Sequence, residues 1–285
     1  MGLISMREWG RPTDIIAVKA ALGGKVMVLG YWMLLVLLVF APASGITAPS
    51  RCTSLPFVEE KLSKDERIEA LMQRGAVCVR ERNMAQVIAT FSEVIGLDPN
   101  NIDAYINRGS AYVRSGLVEL GLADFSHIIR KYPGVVQAWY NRGTAFLAAE
   151  QYDAAIADLS ETLRLKPDFA RAYCNRGLAR LRKSDYEGAL DDFEQGLKQD
   201  ARMPVCYFAR GETRYKERDY EEAVEDLTKG LELSPAPQGY EMRARAFERL
   251  SMSNKALSDY EAALKMAPNY KSAQEGLERL SRTKD

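Results

Sequence analysis

Small, bulky and proline positions recur along residues 68–270 at a spacing of 34. Glycine stands at Gly75, Gly109, Gly143, Gly177 and Gly211, and a bulky apolar residue at Phe91, Phe125, Leu159, Phe193 and Leu227. Proline follows at Pro99, Pro133, Pro167 and Pro235, with Ala201 in the remaining slot. The phase then slips by one residue, so the last set reads Ala244, Tyr260 and Pro268. Within one period Trp139, Gly143 and Phe146 share a helical stripe, and Ala155, Leu159 and Leu163 share another. Residues 148–151 leave room for a tight turn between them, and Pro167 stops the second helix. The pattern predicts a helix–turn–helix unit repeated six times.

Glycine in a helix costs about 1 kcal/mol relative to alanine, so a glycine column needs compensation. Close approach of two helices supplies it, and the further small positions Ala155, Ala189, Ala223, Ala256 and Gly121 fit the same role. The ends are also marked. Ser63 followed by Glu66 is a capping box that opens the first helix. Residues 270–282 form one more amphipathic helix, with Ala273, Leu277 and Leu280 on one face, suited to cover the last open core.

A 34-residue period with small, bulky and proline columns resembles the tetratricopeptide repeat. The stretch from Trp139 to Phe146, with Tyr152, Ala155, Ile156 and Leu163 to Pro167, carries the resemblance most fully. It implies an all-α, right-handed superhelical solenoid of six repeats plus a C-terminal capping helix. The expected organisation is 1–48 signal or anchor, 49–63 linker, 64–270 repeats and 271–285 cap and tail. The repeats fall at about 68–101, 102–135, 136–169, 170–203, 204–236 and 237–270.

Two polar columns accompany the apolar ones. Arg74, Arg108, Arg142, Arg176, Arg210 and Arg243 are followed 16 residues later by Asp124, Asp158, Asp192, Asp226 and Asp259, whereas Arg74 faces Thr90. Antiparallel helices joined by a tight turn bring such positions to one height, so Arg–Asp pairs are expected within each unit. The second column is Gln73, Asn107, Asn141, Asn175, Ala209 and Met242. No backbone need explains asparagine in mid-helix. The resemblance implies that Asn107, Asn141 and Asn175 line the concave groove, similar to the asparagine ladder of the O-linked N-acetylglucosamine transferase superhelix. An amide both donates and accepts, which suits a peptide backbone. Tyr140, Phe208 and Tyr215 are the accompanying candidate anchors, with core packing as the alternative role for these aromatics. The basic clamp with which some relatives hold acidic chaperone tails is not matched, since Met72, Ile106 and Gln137 occupy its places.

Composition narrows the function further. The formal net charge is zero over 285 residues, which argues against a nucleic-acid partner. His127 is the single histidine, and no nucleophile, metal or phosphate-loop motif accompanies it. The stretches outside the repeats are short for a catalytic domain. No enzyme activity, cofactor or metal is therefore expected. The partner expected is a protein or peptide in the groove, and the alternative is a self-associating module of an envelope or membrane-bound assembly.

Residues 26–41 carry no charge and follow Arg7, Arg11, Lys19 and Lys25, against Glu8 and Asp14. With the small residues Ala41, Ala43 and Gly45, this is the layout of a secretory signal. A periplasmic or secreted chain is the favoured expectation, and anchorage of the membrane by 26–41 the alternative. Arg51 disfavours lipidation of Cys52. Cys78 reads as a core residue, and a Cys174–Cys206 disulfide after export as a less favoured alternative to two free thiols.

Overall fold

The computed structural model describes residue 52 and residues 62–282, so the apolar segment 26–41 and the cleavage region lie outside the described residues. Thirteen α-helices and no strand occur among them. They are α1 (Lys64–Arg80), α2 (Met84–Leu97), α3 (Ile102–Arg114), α4 (Val118–Lys131), α5 (Val136–Ala148), α6 (Tyr152–Leu165) and α7 (Ala170–Arg182). There follow α8 (Tyr186–Gln199), α9 (Pro204–Glu217), α10 (Tyr220–Leu233), α11 (Pro237–Arg249), α12 (Ser253–Met266) and α13 (Lys271–Arg282). The chain divides into two compact units, the first running to Ile128 and the second starting at Ile129. Within the second unit each helix packs on its neighbours in sequence. There the first helices of successive repeats, α5, α7, α9 and α11, also touch one another.

Helix starts follow local chemistry. Both halves of the Ser63–Glu66 capping box are formed, and Asn83, Asn101 and Asp185 each cap a helix through a side-chain oxygen. Pro204 and Pro237 occupy the first turn of α9 and α11, where no amide hydrogen is needed. Every turn inside a repeat uses one left-handed residue: Arg82, Gly116, Glu150, Ser184, Arg218 and Ser251. The next amide reaches back five residues, as in Asp185 N–H to Arg180 O at 3.0 Å, which closes the end of the first helix. Only Gly116 advertises this turn in the sequence.

The glycine column meets the bulky column across each pair. A Cβ built on Gly177 would lie 2.7 Å from Phe193 Cε1, and one on Gly143 would lie 2.9 Å from Leu159 Cγ. Phe91, Leu159, Phe193 and Leu227 are fully buried as a result. In the last repeat Ala244 replaces the glycine. The close approach moves to the cap, where Gly276 of α13 lies against the buried ring of Tyr260. Helix α13 is held further by Arg279, whose Nη2 donates to Glu248 Oε1 at 2.7 Å, and by Ser272 Oγ, which donates to Glu241 Oε1 at 2.7 Å.

The Arg–Asp pairs lie within repeats. Arg108 Nη2 donates to Asp124 Oδ1 at 2.7 Å, Arg142 Nε to Asp158 Oδ2 at 2.7 Å and Arg176 Nη2 to Asp192 Oδ1 at 2.7 Å. The remaining two are Arg210 to Asp226 at 2.6 Å and Arg243 to Asp259 at 2.8 Å. The preceding repeat contributes a hydroxyl instead of a carboxylate. Nη1 of Arg108, Arg176 and Arg243 donates to Ser92, Ser160 and Thr228. Where the residue four positions on is aromatic (Tyr112, Phe146, Phe247), its ring covers the guanidinium. Where it is Arg180 or Arg214, a second guanidinium shares the aspartate at 2.9 Å. The bond to aspartate raises the pKa of Arg108 and Arg243 above the ordinary value, against the opposing effect of burial.

Cys174 and Cys206 are the two free thiols expected, whereas one disulfide forms that was not expected. Cys52 and Cys78 form a disulfide with their Cα atoms 4.9 Å apart, and Cys174 and Cys206 are free and buried. Cys52 is fully buried in the core of the first unit beside Leu71, Val79 and Phe91, and its amide donates to Glu81 Oε2 at 3.0 Å. Cys78 is thus a core residue and a covalent one. The bond joins residues 26 apart, a loop whose closure contributes about 3 kcal/mol in the chain-entropy account.

Candidate functional site

The first helices of the second unit present the candidate groove residues. Asn175 on α7 is half-buried, and its Nδ2 donates to Tyr140 Oη at 3.2 Å and to Thr144 Oγ1 at 3.1 Å, both on α5. Both amide hydrogens are therefore used between neighbouring repeats, which orients the carbonyl oxygen of the same amide. Thr144 Oγ1 in turn donates to Tyr140 O at 2.8 Å. Tyr140 is buried, with its ring 4.6 Å from that of Phe169. Burial raises the pKa of its phenol, and the nearby Arg171 charge with the bonds to Thr144 and Asn175 only partly offsets this. Tyr140 acts as a fixed hydroxyl under Asn175 rather than as an open anchor.

The other expected amides are less accessible. Asn141 is 3% exposed, and its Oδ1 accepts from Gln137 Nε2 at 2.8 Å on the same helix. Asn107, in the first unit, is 7% exposed and donates from Nδ2 to Asp103 O at 2.8 Å. A ladder of three equally open amides is thus not what these side chains form. Both are turned into the helix surface because a carbonyl or amide four residues earlier lies within reach. Phe208 also departs from the anchor role. Its ring fills the space beside two glycines, with Cε1 2.6 Å from where a Cβ on either Gly230 or Gly239 would stand. The ring is a packing element between α9, α10 and α11.

Tyr215, on α9, is half-buried and meets Tyr220 edge to face at 5.4 Å between centroids. Two arginines that sequence reasoning passed over lie against this pair. The guanidinium of Arg245 is 5.2 Å from the Tyr215 ring centre, and that of Arg249 is 4.9 Å from the Tyr220 ring centre. Both stand outside the arginine column, so the period gave no reason to single them out. Helical spacing alone, with residues 245 and 249 four apart on a first helix, was the available signal.

The buried thiols and the histidine are packing groups. Burial drives the Cys174 pKa well above its ordinary value, which keeps it a neutral thiol. His127 stacks on Tyr105 at 4.5 Å, with its Nε2 buried and without a hydrogen-bond partner.

Family models described as tetratricopeptide repeat match residues 106–157, 140–204, 204–237 and 237–270. The chain belongs to the tetratricopeptide-repeat family. These repeats serve in general as protein-interaction scaffolds, typically without enzymatic activity. Solved structures of similar fold include PilF of Pseudomonas aeruginosa, at TM-score 0.66 and 20% identity, covering 74% of this chain and 97% of that one. A tetratricopeptide repeat protein from Parabacteroides merdae aligns at TM-score 0.59 and 20% identity over 75% of this chain and 84% of its own. The Cut9–Hcn1 hetero-tetramer of the APC/C aligns at TM-score 0.68 and 17% identity over 75% of this chain, which spans 42% of that protein. At these identities the tetratricopeptide fold is what is shared. No curated protein matches the chain significantly by sequence.

Proposed function

We propose that this tetratricopeptide-repeat chain is an exported scaffold that holds an extended peptide against the first helices of its second unit. The observation that carries the reading is the amide of Asn175. Its nitrogen is committed to Tyr140 and Thr144, no partner occupies its oxygen, and the side chain is half-buried. A carbonyl oriented in this way accepts a backbone N–H from a ligand without demanding a particular side chain. Export is supported by the charge layout around residues 26–41 and by the buried Cys52–Cys78 disulfide, which suits an oxidising compartment.

The test is selection of random peptides on the full chain, followed by titration of the selected peptides against Asn175→Ala. A loss of about tenfold in affinity, with an unchanged far-ultraviolet circular dichroism spectrum, is expected for one lost charge-neutral hydrogen bond and its ordering. Equal affinity for both proteins overturns the groove. Concentration-dependent light scattering without any peptide, unaffected by the substitution, would replace it with self-association. Alkaline-phosphatase fusion after residue 285 tests export, and an inactive fusion removes that part of the proposal.

A further inference from the structure

Five arginines of the repeat column, all but Arg74, are bonded to an aspartate. Arg243, on α11, gives Nε and Nη2 to Asp259 and Nη1 to Thr228. Arg182 on α7 and Arg214 on α9 are closed as well, bonding Glu212 at 2.9 Å and Asp226 at 2.9 Å. Arg249 differs from these two, because it makes no ion pair or hydrogen bond in the described structure, and its guanidinium carbon lies over the Tyr220 ring, 4.9 Å from the centroid. Arg245 rests on Tyr215 in the same manner. Its nearest carboxylate oxygen, on Glu241, is 3.8 Å away, too far for a hydrogen bond. Glu241 is itself 6% exposed and accepts from Ser272. The Arg245 side chain is 49% exposed.

Two guanidiniums thus lie over a platform of two mutually packed tyrosines, and their hydrogen-bond donors are unspent. Residues four apart in a helix share one face with Cβ atoms about 5–6 Å apart, so the two edges address one ligand region. A planar fork presented edge-on is the geometry that binds carboxylate or phosphate with two parallel hydrogen bonds. Stacking on tyrosine removes much of the rotamer freedom that an exposed arginine otherwise loses on binding.

We propose that Arg245 and Arg249 form an oxyanion site that reads acidic side chains of the peptide lying along the first helices. The proposal rests on the groove reading above and adds the chemistry of the ligand to it. Asn175 on α7 and the arginines on α11 are separated by two helix-to-helix steps. At about 8–10 Å per step, this distance is spanned by roughly six residues of extended chain. The peptide is therefore fixed through its backbone at Asn175 and through an anionic side chain about six residues away.

The experiment uses the full chain in detergent micelles and three fluorescein-labelled ten-residue peptides, alike except for a glutamate, phosphoserine or glutamine cluster at one end. Fluorescence anisotropy should show the glutamate or phosphoserine peptide binding at least about tenfold more tightly than the glutamine peptide, with the difference shrinking as salt rises. The more tightly bound of the two anionic peptides identifies the oxyanion as carboxylate or phosphate. The double substitution Arg245→Gln with Arg249→Gln should erase the preference and leave the glutamine peptide's affinity unchanged. Asn175→Ala should weaken all three peptides equally. A wild-type protein without charge preference, or a double variant that keeps it, overturns the oxyanion site while an Asn175 effect preserves the groove. A charge preference without any Asn175 effect overturns the groove and leaves the arginine pair as an oxyanion site on its own. No binding of any of the three peptides overturns both.

Discussion

Replacing Asp192 by alanine should be among the most damaging polar substitutions in the second unit. The carboxylate is 2% exposed and receives Arg176 Nη2 at 2.7 Å, Arg176 Nε at 3.0 Å and Arg180 Nη1 at 2.9 Å. Its removal leaves Arg176, with its side chain 17% exposed, without a counter-charge, and Arg180, 25% exposed, with Asp185 alone at 3.6 Å. Breaking a buried pair from one side costs about 3–5 kcal/mol, and the partial exposure of both arginines places this case near about 3 kcal/mol. Glu161→Ala, which removes a solvent-screened partner of Arg164, should cost far less by comparison. Urea unfolding followed by circular dichroism gives the difference, with hydrogen exchange of α7 and α8 to localise it, since a stacked repeat array need not melt as one unit. The double replacement Arg176→Met with Asp192→Leu should recover the part of the loss that comes from the orphaned Arg176 charge, while Arg180, which also bonds Asp192, keeps the remainder. If Asp192→Ala costs no more than Glu161→Ala, the aspartate is screened by solvent and the packing of Gly177 on Phe193 holds the two helices unaided.

Three further outcomes follow from the same geometry. Gly177→Ala gains about 1 kcal/mol of helix propensity but drives a methyl to 2.7 Å from Phe193 Cε1, so a net loss of about 1–2 kcal/mol should appear as a lower urea midpoint. Cys52→Ser should lower the stability of the first unit by about 3 kcal/mol under oxidising conditions. Reductant should reproduce this in the wild type and leave exchange in the second unit unchanged. Glu248→Gln should lower the melting temperature at neutral pH and cease to matter in acid. Burial pushes the Glu248 pKa up, but the bonds from Arg279 and Tyr260 outweigh it and hold the pKa below the ordinary carboxylate value. A depressed native pKa contributes stability above the unfolded pKa, and that stability is lost as pH falls through the native value. The two melting curves should therefore converge below the ordinary glutamate value of 4.5, and a constant offset would refute the linkage.

Packing inside a repeat was legible because it is periodic. Gly177 and Phe193, or Arg176 and Asp192, stand 16 apart, as do their counterparts in five of the six repeats, and a helix–turn–helix of constant length turns that spacing into contact. The capping box at Ser63 was legible because its partners are three residues apart. The left-handed turn residues were hidden: Glu150, Ser184 and Arg218 share no chemistry, and only the backbone requirement of the turn unites them. The asparagine column was visible, but its accessibility was not. Asn107 bonds its own helix, Asn141 accepts from Gln137, and Asn175 reaches across to Tyr140 and Thr144. The same residue type at the same register thus meets three different sets of neighbours.

By itself the sequence determined the all-α repeat architecture, the lengths of the helix pairs and the internal Arg–Asp bonds, since each depends on neighbours within one period. Tertiary structure decided the Cys52–Cys78 bond, the burial of Tyr140, the packing of Phe208 against two glycines, and the placement of Arg245 and Arg249 over Tyr215 and Tyr220. Those features join non-repeating residues from different helices, and a side chain's exposure and spare hydrogen bonds depend on which atoms the stacking of whole repeats brings beside it.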